Sequence, residues 1–323
     1  MKNMLFVFNP NSGKAQLKNS LMKIIQIFSN ADYEVTVYPT KAALDGYEKI
    51  KASKGLYDII VCSGGDGTLN EVVSAVITYG DEKVPIGYIP SGSTNDFAKS
   101  LGIPSDKIRA AYNVVSGESF SCDIGIINDR RYFNYVAAFG AFTDVAYETP
   151  QDLKNMFGHQ AYVIEGAKRL LNLKAYKMKV TSSRLDIEDN FIYGMVSNSS
   201  SVGGMKGLIG DDVDFQDGVF EVTLIREIRN ALDFQQLINA FMTQRLESCD
   251  MIYSFKTNNI TFESPDNIKW TLDGEFGGEH NKVNLKVCPK AVDFIINKEN
   301  GGWGSTLNSG IRKGTGKYFK QLD

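Results

Sequence analysis

Apolar and polar positions give this chain two textures. Up to about residue 120, short apolar runs alternate with segments of helical spacing. Residues 4–8 form an apolar run stopped by Asn9-Pro10, as a buried strand would be. Over residues 17–28, Leu17, Leu21, Ile24, Ile25 and Phe28 recur at intervals of three and four, the spacing of an amphipathic helix. Residues 34–38 alternate like a strand. The stretches 58–62 and 85–89 are β-branched and apolar, suited to strands covered on both faces. Residues 69–77 return to helical spacing. Strand, helix and strand in this rhythm predict a parallel sheet with crossover helices.

After Cys122, strand-like segments follow one another: 124–127, 132–138, 176–181, 191–196, 219–225, 254–262, 268–272, 282–287 and 292–296. Helical stretches at 160–173 and 230–241 interrupt them. Many short strands joined by turns predict an antiparallel sandwich or barrel. The expected fold class is therefore α/β. A Rossmann-like parallel-sheet domain spans 1–123 and an antiparallel β-sandwich domain 124–298, its last strand free to return to the first domain. The Gly/Ser/Asn-rich residues 299–323 read as a flexible tail.

With 43% hydrophobic and 23% charged residues, the 323-residue chain has a globular composition. No run approaches the roughly 20 apolar residues that span a bilayer, and the start does not read as a signal peptide. A cytoplasmic location is the expectation. Cys62, Cys122, Cys249 and Cys288 are widely spaced without a CxxC pair, so buried thiols are expected rather than disulfides or a zinc site. His159 and His280 are too few for a histidine-based metal centre. A net charge of −3 argues against nucleic acid as a partner. The run Lys168, Arg169, Lys174, Lys177 and Lys179 reads as a solvated helix face.

The candidate chemistry sits in three loops, each following a predicted parallel strand, where ligands bind in open α/β sheets. They are Asn9-Pro10-Asn11-Ser12-Gly13-Lys14, Gly64-Gly65-Asp66-Gly67-Thr68, and Pro90-Ser91-Gly92-Ser93-Thr94-Asn95-Asp96. Glycine lets main-chain N–H groups approach an anion closely. A helix opening at Thr68 and Leu69 would add a favourable field for phosphate. Asp66 would repel phosphates unless it meets Mg²⁺ or orients its waters; its other reading is a turn or N-cap residue. Residues 211–217 carry Asp211, Asp212, Asp214 and Asp217, either a hard-cation loop or a solvated acidic loop.

Gly64-Gly65-Asp66-Gly67-Thr68 continuing into Leu69-Asn70-Glu71 resembles the nucleotide-binding signature of the diacylglycerol kinase catalytic family, which includes soluble bacterial lipid kinases and the sphingosine and ceramide kinases. Asn9-Pro10 with Ser12-Gly13, the loop 90–96, Asp123-Ile124-Gly125, Asp217-Gly218-Val219-Phe220 and Leu272-Asp273-Gly274-Glu275 match further motifs in order, over residues 4–296. The resemblance implies an NAD kinase/diacylglycerol kinase-like first domain. It places ATP contacts on Asn9, Pro10, Asn11, Ser12 and Gly13; on Thr40; on Gly65, Asp66, Gly67, Thr68, Leu69, Asn70 and Glu71; and on Ser93. Without it, Thr40 is an ordinary turn threonine and Glu275 an exposed turn glutamate. With it, Glu275 is the general base, and Asp273 its rival. Asp66 serves the catalytic Mg²⁺, with Asp123 linked to it through water and the ion. Asp214, Asp217 and the Val219 carbonyl hold a second, structural Mg²⁺.

The implied activity is an ATP-dependent lipid kinase, with diacylglycerol as the first choice of acceptor. Phosphatidylglycerol, a long-chain base and an undecaprenol-like alcohol stay open. Membrane contact would be peripheral, with Lys14 contributing, and homodimers are common among relatives. NAD kinases share Gly-Gly-Asp-Gly-Thr, and phosphofructokinases carry a related loop, but the Leu69-Asn70-Glu71 continuation and loop 90–96 favour the lipid branch. An inactive nucleotide sensor should have lost Asp66 or Glu275, and both are present.

Overall fold

Met4, Leu5, Phe6 and Val7 are fully buried in strand β1 (Lys2–Phe8), since the strand lies inside a parallel sheet and both its faces are covered. Strand β2 (Tyr33–Pro39) flanks it on one side and β3 (Ile59–Gly64) on the other, and β4 (Ile86–Pro90) pairs with β3; every pairing is parallel. The order β2-β1-β3-β4 leaves β2 at the edge, where it is half exposed and closes on Pro39, whose missing N–H does no harm there. The computed structural model describes residues 1–13, 16–80, 84–140, 174–199, 213–243 and 249–297. The helix expected over 160–173, His159, Lys168, Arg169, Lys14, Asp211, Asp212 and the tail 299–323 lie outside those residues.

The helix expected from residue 17 is divided. A 3₁₀ turn, Gln16–Asn19, precedes α1 (Leu21–Asn30), which buries Ile24, Ile27 and Phe28. Helices α2 (Asp45–Ala52), α3 (Asp66–Tyr79), α4 (Asp96–Ser100) and α5 (Lys107–Ser116) follow. Hydrophobic spacing does not reveal α2, whose buried residues are Gly46 and Ile50 alone. Its mark is charge: Asp45 and Glu48 in the first turn and Lys49 and Lys51 in the last, which suit the helix dipole. Helix α5 begins where Asp106 accepts the Arg109 N–H at 2.9 Å.

From residue 118 strands dominate: β5 (Glu118–Ile127), β6 (Arg131–Phe133), β7 (Val136–Gly140), β8 (Tyr176–Ser182), β9 (Asp186–Ser197), β10 (Phe220–Arg226), β11 (Ile252–Thr257), β12 (Asn259–Leu272) and β13 (Glu275–Ile296), with α6 (Ala231–Thr243) after β10. They pair with one another antiparallel. Strands β7 and β8 pair with successive stretches of the same two neighbours, β9 and β12. Lys177 and Lys179 lie on β8 rather than on a helix face, and Glu188 and Asp186 on β9 pair with them at 2.7 and 3.8 Å.

Four expected strands are joined or divided in the fold. Residues 282–287 and 292–296 belong to one strand of 22 residues. Its register shifts between Cys288 and Val292, and Lys290 has φ +48 there, so a bulge imitates a turn. Residues 132–138 divide into β6 and β7 because the N–H groups of Asn134, Tyr135 and Val136 turn to the Asp273 carboxylate. Residues 254–262 divide at Asn258 into β11 and β12.

Strand β13 runs along β12 and β5, and near its end Phe294 pairs parallel with Ile86 of β4. The parallel and antiparallel parts thus form one network of 13 strands among the described residues. Two cores result. One surrounds the parallel strands and takes in Val292, Phe294 and Ile296. The other centres on Phe139, Phe262 and Trp270, whose ring centroids lie 5.0 to 5.7 Å apart. Cys62, Cys122 and Cys249 are buried and Cys288 half-buried, all as free thiols.

Candidate functional site

Strands β1, β3 and β4 are neighbours, so the loops at their carboxyl ends meet. The Gly64 carbonyl accepts the N–H groups of Ser91 and Gly92 at 2.9 and 3.2 Å and the Tyr88 hydroxyl at 3.1 Å. Asn9 N–H donates to the Ser63 carbonyl at 2.9 Å. Backbone packs directly on backbone: a Cβ on Gly92 would stand 2.5 Å from the Gly65 Cα, and one on Gly13, at φ +56, would collide with the Ser91 carbonyl oxygen. Asn95, at φ +50, braces the third loop by accepting from Gly92 N–H and donating to Gly92 O, both at 2.9 Å. Gly92→Ala must therefore force the second and third loops apart. The expected result is a loss of about 1–3 kcal/mol from overpacking, readable as a lower melting temperature.

Helix α3 begins at Asp66, two residues before the expected start, with Gly65 as an N-cap that offers no side-chain bond. Its first N–H groups therefore face the loops. Asp66 is 8% exposed. Burial, and then the Asp96 charge, push its carboxyl up to about 6, against the pull of the Phe97 and Asp96 main-chain N–H groups. Thr94 Oγ1 donates to its Oδ2 at 3.5 Å, while Oδ1 is buried without a hydrogen-bond partner. An unsatisfied buried carboxylate oxygen fits a cation ligand. Among the described residues no three His, Cys, Asp or Glu side chains gather around one point. Beside the third loop lies a cleft of about 500 Å³, with Gly13, Lys99 and Lys107 on its walls and Ser93, exposed, at its rim.

The antiparallel part contributes the turn Asp273-Gly274-Glu275, between β12 and β13. Glu275 lies against α3: a Cβ on Gly67 would collide with its Oε1. Its side chain remains 60% exposed, with Arg131 Nη2 3.9 Å from Oε2. Arg131 is itself fixed, donating from Nη1 to the Phe276 carbonyl at 2.8 Å. Asp273 has a different environment. Its Oδ2 accepts from Asn134 N–H at 2.7 Å and Asn70 Nδ2 at 3.1 Å, and its Oδ1 from Tyr135 and Val136 N–H at 3.0 and 3.1 Å. Burial raises it to about 7, against the pull of these backbone donors. With both oxygens committed, Asp273 anchors the turn, whereas Glu275 keeps its carboxylate open to solvent.

Other candidate residues have internal duties. Thr40 donates its N–H and its hydroxyl to the Phe8 carbonyl, at 2.9 and 3.4 Å, and so closes the end of β2 onto the first loop. Glu71 Oε1 accepts Leu44 N–H at 2.8 Å, tying α3 to the start of α2; burial raises its carboxyl, with that N–H opposing. Leu69 is fully buried. Asn9 Oδ1 and O accept from Asn11 and Ser12 N–H at 2.9 and 3.2 Å, shaping Asn9, Pro10, Asn11 and Ser12 into a tight turn.

Asp214, Asp217 and Val219 share a different turn. Asp214 Oδ1 accepts Gln216 N–H at 2.9 Å and Asp217 Oδ1 accepts Val219 N–H at 3.1 Å. Lys256 Nζ stands 3.4 Å from Asp217 Oδ2 and 3.0 Å from Glu221 Oε1, supplying positive charge there from the protein itself. Asp123 faces this turn: Gly218 and Lys290 N–H donate to its two oxygens at 2.6 and 2.7 Å. Both Asp123 oxygens are thus engaged by main-chain donors. Sequence reading missed Arg131, Lys99 and Lys107, while Thr94 and Asn95 belong to the third candidate loop without a role of their own.

Residues 3–127 match the diacylglycerol kinase catalytic domain, and residues 138–296 match the YegS C-terminal NAD kinase beta sandwich-like domain. A diacylglycerol kinase of Bacillus subtilis (strain 168) is 32% identical over 280 residues, covering 86% of this chain and 91% of that relative. The chain belongs to the diacylglycerol kinase family. Its relative from Staphylococcus haemolyticus is also 32% identical, over 88% of each chain. The crystal structure of a diacylglycerol kinase from Bacillus anthracis superposes with a TM-score of 0.72 at 20% identity, over 93% of this chain and 98% of that one, which shows the shared two-domain fold. The family is one of lipid kinases. Among the described residues no helix is long and apolar enough to cross a membrane.

Proposed function

We propose that this protein transfers the γ-phosphate of ATP to the free hydroxyl of diacylglycerol, giving phosphatidic acid and ADP. The observation that supports the reading is that the Glu275 carboxylate, from one half of the molecule, lies against Gly67 in the glycine-rich loop of the other. Residues 1–123 bind nucleotide in this reading, and residues 124–298 bind lipid at a membrane surface.

Main-chain N–H groups of the three loops and the first turn of α3 hold the phosphates. Asp66, through its unsatisfied Oδ1, would hold Mg²⁺, which when bound neutralises charge on the transferring phosphoryl group. Glu275 accepts the hydroxyl proton as the lipid oxygen bonds to the γ-phosphorus and the bond to the ADP oxygen breaks. Asp273 holds the turn in place and stays outside the proton transfer.

The test is purified protein with labelled ATP, Mg²⁺ and mixed micelles of diacylglycerol, phosphatidylglycerol or a long-chain base, with NAD as a soluble acceptor, products being resolved by mass. Phosphatidic acid is the expected product. Phosphorylated NAD without any phosphorylated lipid would overturn the proposal.

A further inference from the structure

The three residues of the turn Asp273-Gly274-Glu275 meet α3 at two points. Glu275 lies against Gly67, and Asp273 accepts from Asn70. Gly67 and Asn70 are three residues apart, so both look out from one face of the helix. A single helical turn therefore carries part of the phosphate loop and an attachment for the turn that bears the base. Asn70 Nδ2 donates twice, to Asp273 Oδ2 at 3.1 Å and to the Tyr132 carbonyl at 3.0 Å, which uses both of its hydrogens. Asp273 then gathers the N–H groups of Asn134, Tyr135 and Val136, while its own N–H donates to the Val136 carbonyl at 2.9 Å. These bonds hold Asp273 at φ +51, a conformation a lone aspartate rarely keeps. Gly274, at φ +83, completes the reversal and delivers Glu275.

From this geometry we infer that Asn70 is a positioning residue: it clasps Asp273 across the two halves of the molecule and so sets Glu275 against the nucleotide phosphates. The inference rests on the kinase reading for its effect on turnover, but the clasp itself does not. It differs from the role the family resemblance gives Asn70, that of a direct ATP ligand. Removing a side chain that touches the nucleotide weakens nucleotide binding. Removing a positioning residue instead lowers turnover at saturation, since a displacement of about 1 Å at the reacting atoms costs about 10²-fold.

Asn70→Leu keeps the size and removes the donor, and Asn70→Gln keeps the amide but moves it by one methylene. Nucleotide affinity is measured by titration calorimetry, turnover in diacylglycerol micelles, and backbone exchange by mass spectrometry of peptides covering 131–138 and 270–277. For Asn70→Leu the expected results are turnover lower by about 10²-fold, nucleotide affinity within about twofold of wild type, and faster exchange at Asn134, Tyr135 and Val136. Asn70→Gln should fall between the two, and its intact nucleotide binding would show that the fold persists. A tenfold loss of nucleotide affinity with turnover at saturation unchanged overturns the inference, as does exchange at 134–136 identical to wild type. Absence of lipid phosphorylation by the wild-type protein would sink the kinase reading alone, because the exchange measurement still decides whether Asn70 holds the turn.

Discussion

Glu275→Gln lowers turnover at saturating ATP and diacylglycerol by about 10²–10⁴-fold, the range a general base contributes. The substitution preserves size and leaves the turn intact, because the turn hangs on Asp273 rather than on Glu275. Nucleotide affinity should hold steady or tighten slightly, since a negative charge beside the phosphate loop is removed. The loss should appear in the chemical step, seen as slower product formation in a single turnover. Arg131 loses its ionic partner but keeps its bond to Phe276, so the local backbone should not move. Turnover within a factor of a few of wild type would remove Glu275 from proton transfer. Because Asp273 has no free oxygen, it could not take over that role without leaving its anchors. Residual activity would then point to the substrate's own phosphate or to water as the acceptor.

Much of the first half was legible because β1, β3 and β4 are short apolar runs cut off by Gly, Pro or Asn and buried on both faces, while β2 alternates as an edge strand. That pattern also located the three loops. Their convergence is a consequence of strand order, which no single loop reveals. Helix α2, announced by charge rather than by hydrophobic spacing, was missed, because of its 8 residues only Gly46 and Ile50 are buried. In the second half, Pro289-Lys290 reads as a turn, yet β13 passes through it, because the ladder bond broken at the bulge is replaced by Lys290 N–H donating to Asp123. The same substitution of a side chain for a strand partner explains Asp273. Its neighbours 134–136 have an unbroken strand-like pattern, and only the buried carboxylate diverts their N–H groups. The facing of Glu275 onto Gly67 was legible only through the family resemblance, since a Gly-flanked glutamate otherwise belongs to an exposed turn.

Asp66→Asn should abolish turnover and make the nucleotide-free protein more stable at neutral pH. The reason is the raised carboxyl, about 6 in the fold against an ordinary 3.8. Well below pH 3.8 the group is protonated in folded and unfolded chains alike and has no effect on stability. Between about 4 and 6 the unfolded chain ionises first, so stability falls as pH rises, and above 6 the penalty is constant. Its upper limit is ~3 kcal/mol at 1.36 kcal/mol per pH unit. Asparagine cannot ionise, so the variant escapes the penalty, and its melting temperature should exceed that of wild type by several degrees at pH 7.5 and by little at pH 4. With Mg²⁺ and ATP the order should reverse. The carboxylate then gains the cation it lacks, wild type is stabilised by binding, and the variant, without that ligand, is stabilised less. Turnover in the variant should drop by several orders of magnitude through loss of positioning and charge stabilisation. Melts at both pH values, each with and without Mg²⁺ and ATP, separate the two effects. A variant that melts below wild type at pH 7.5 without ligand, or that turns over normally, would show that Asp66 is a turn residue after all. The opposite pair of results would mark a carboxylate kept at a cost in stability because the ion requires it.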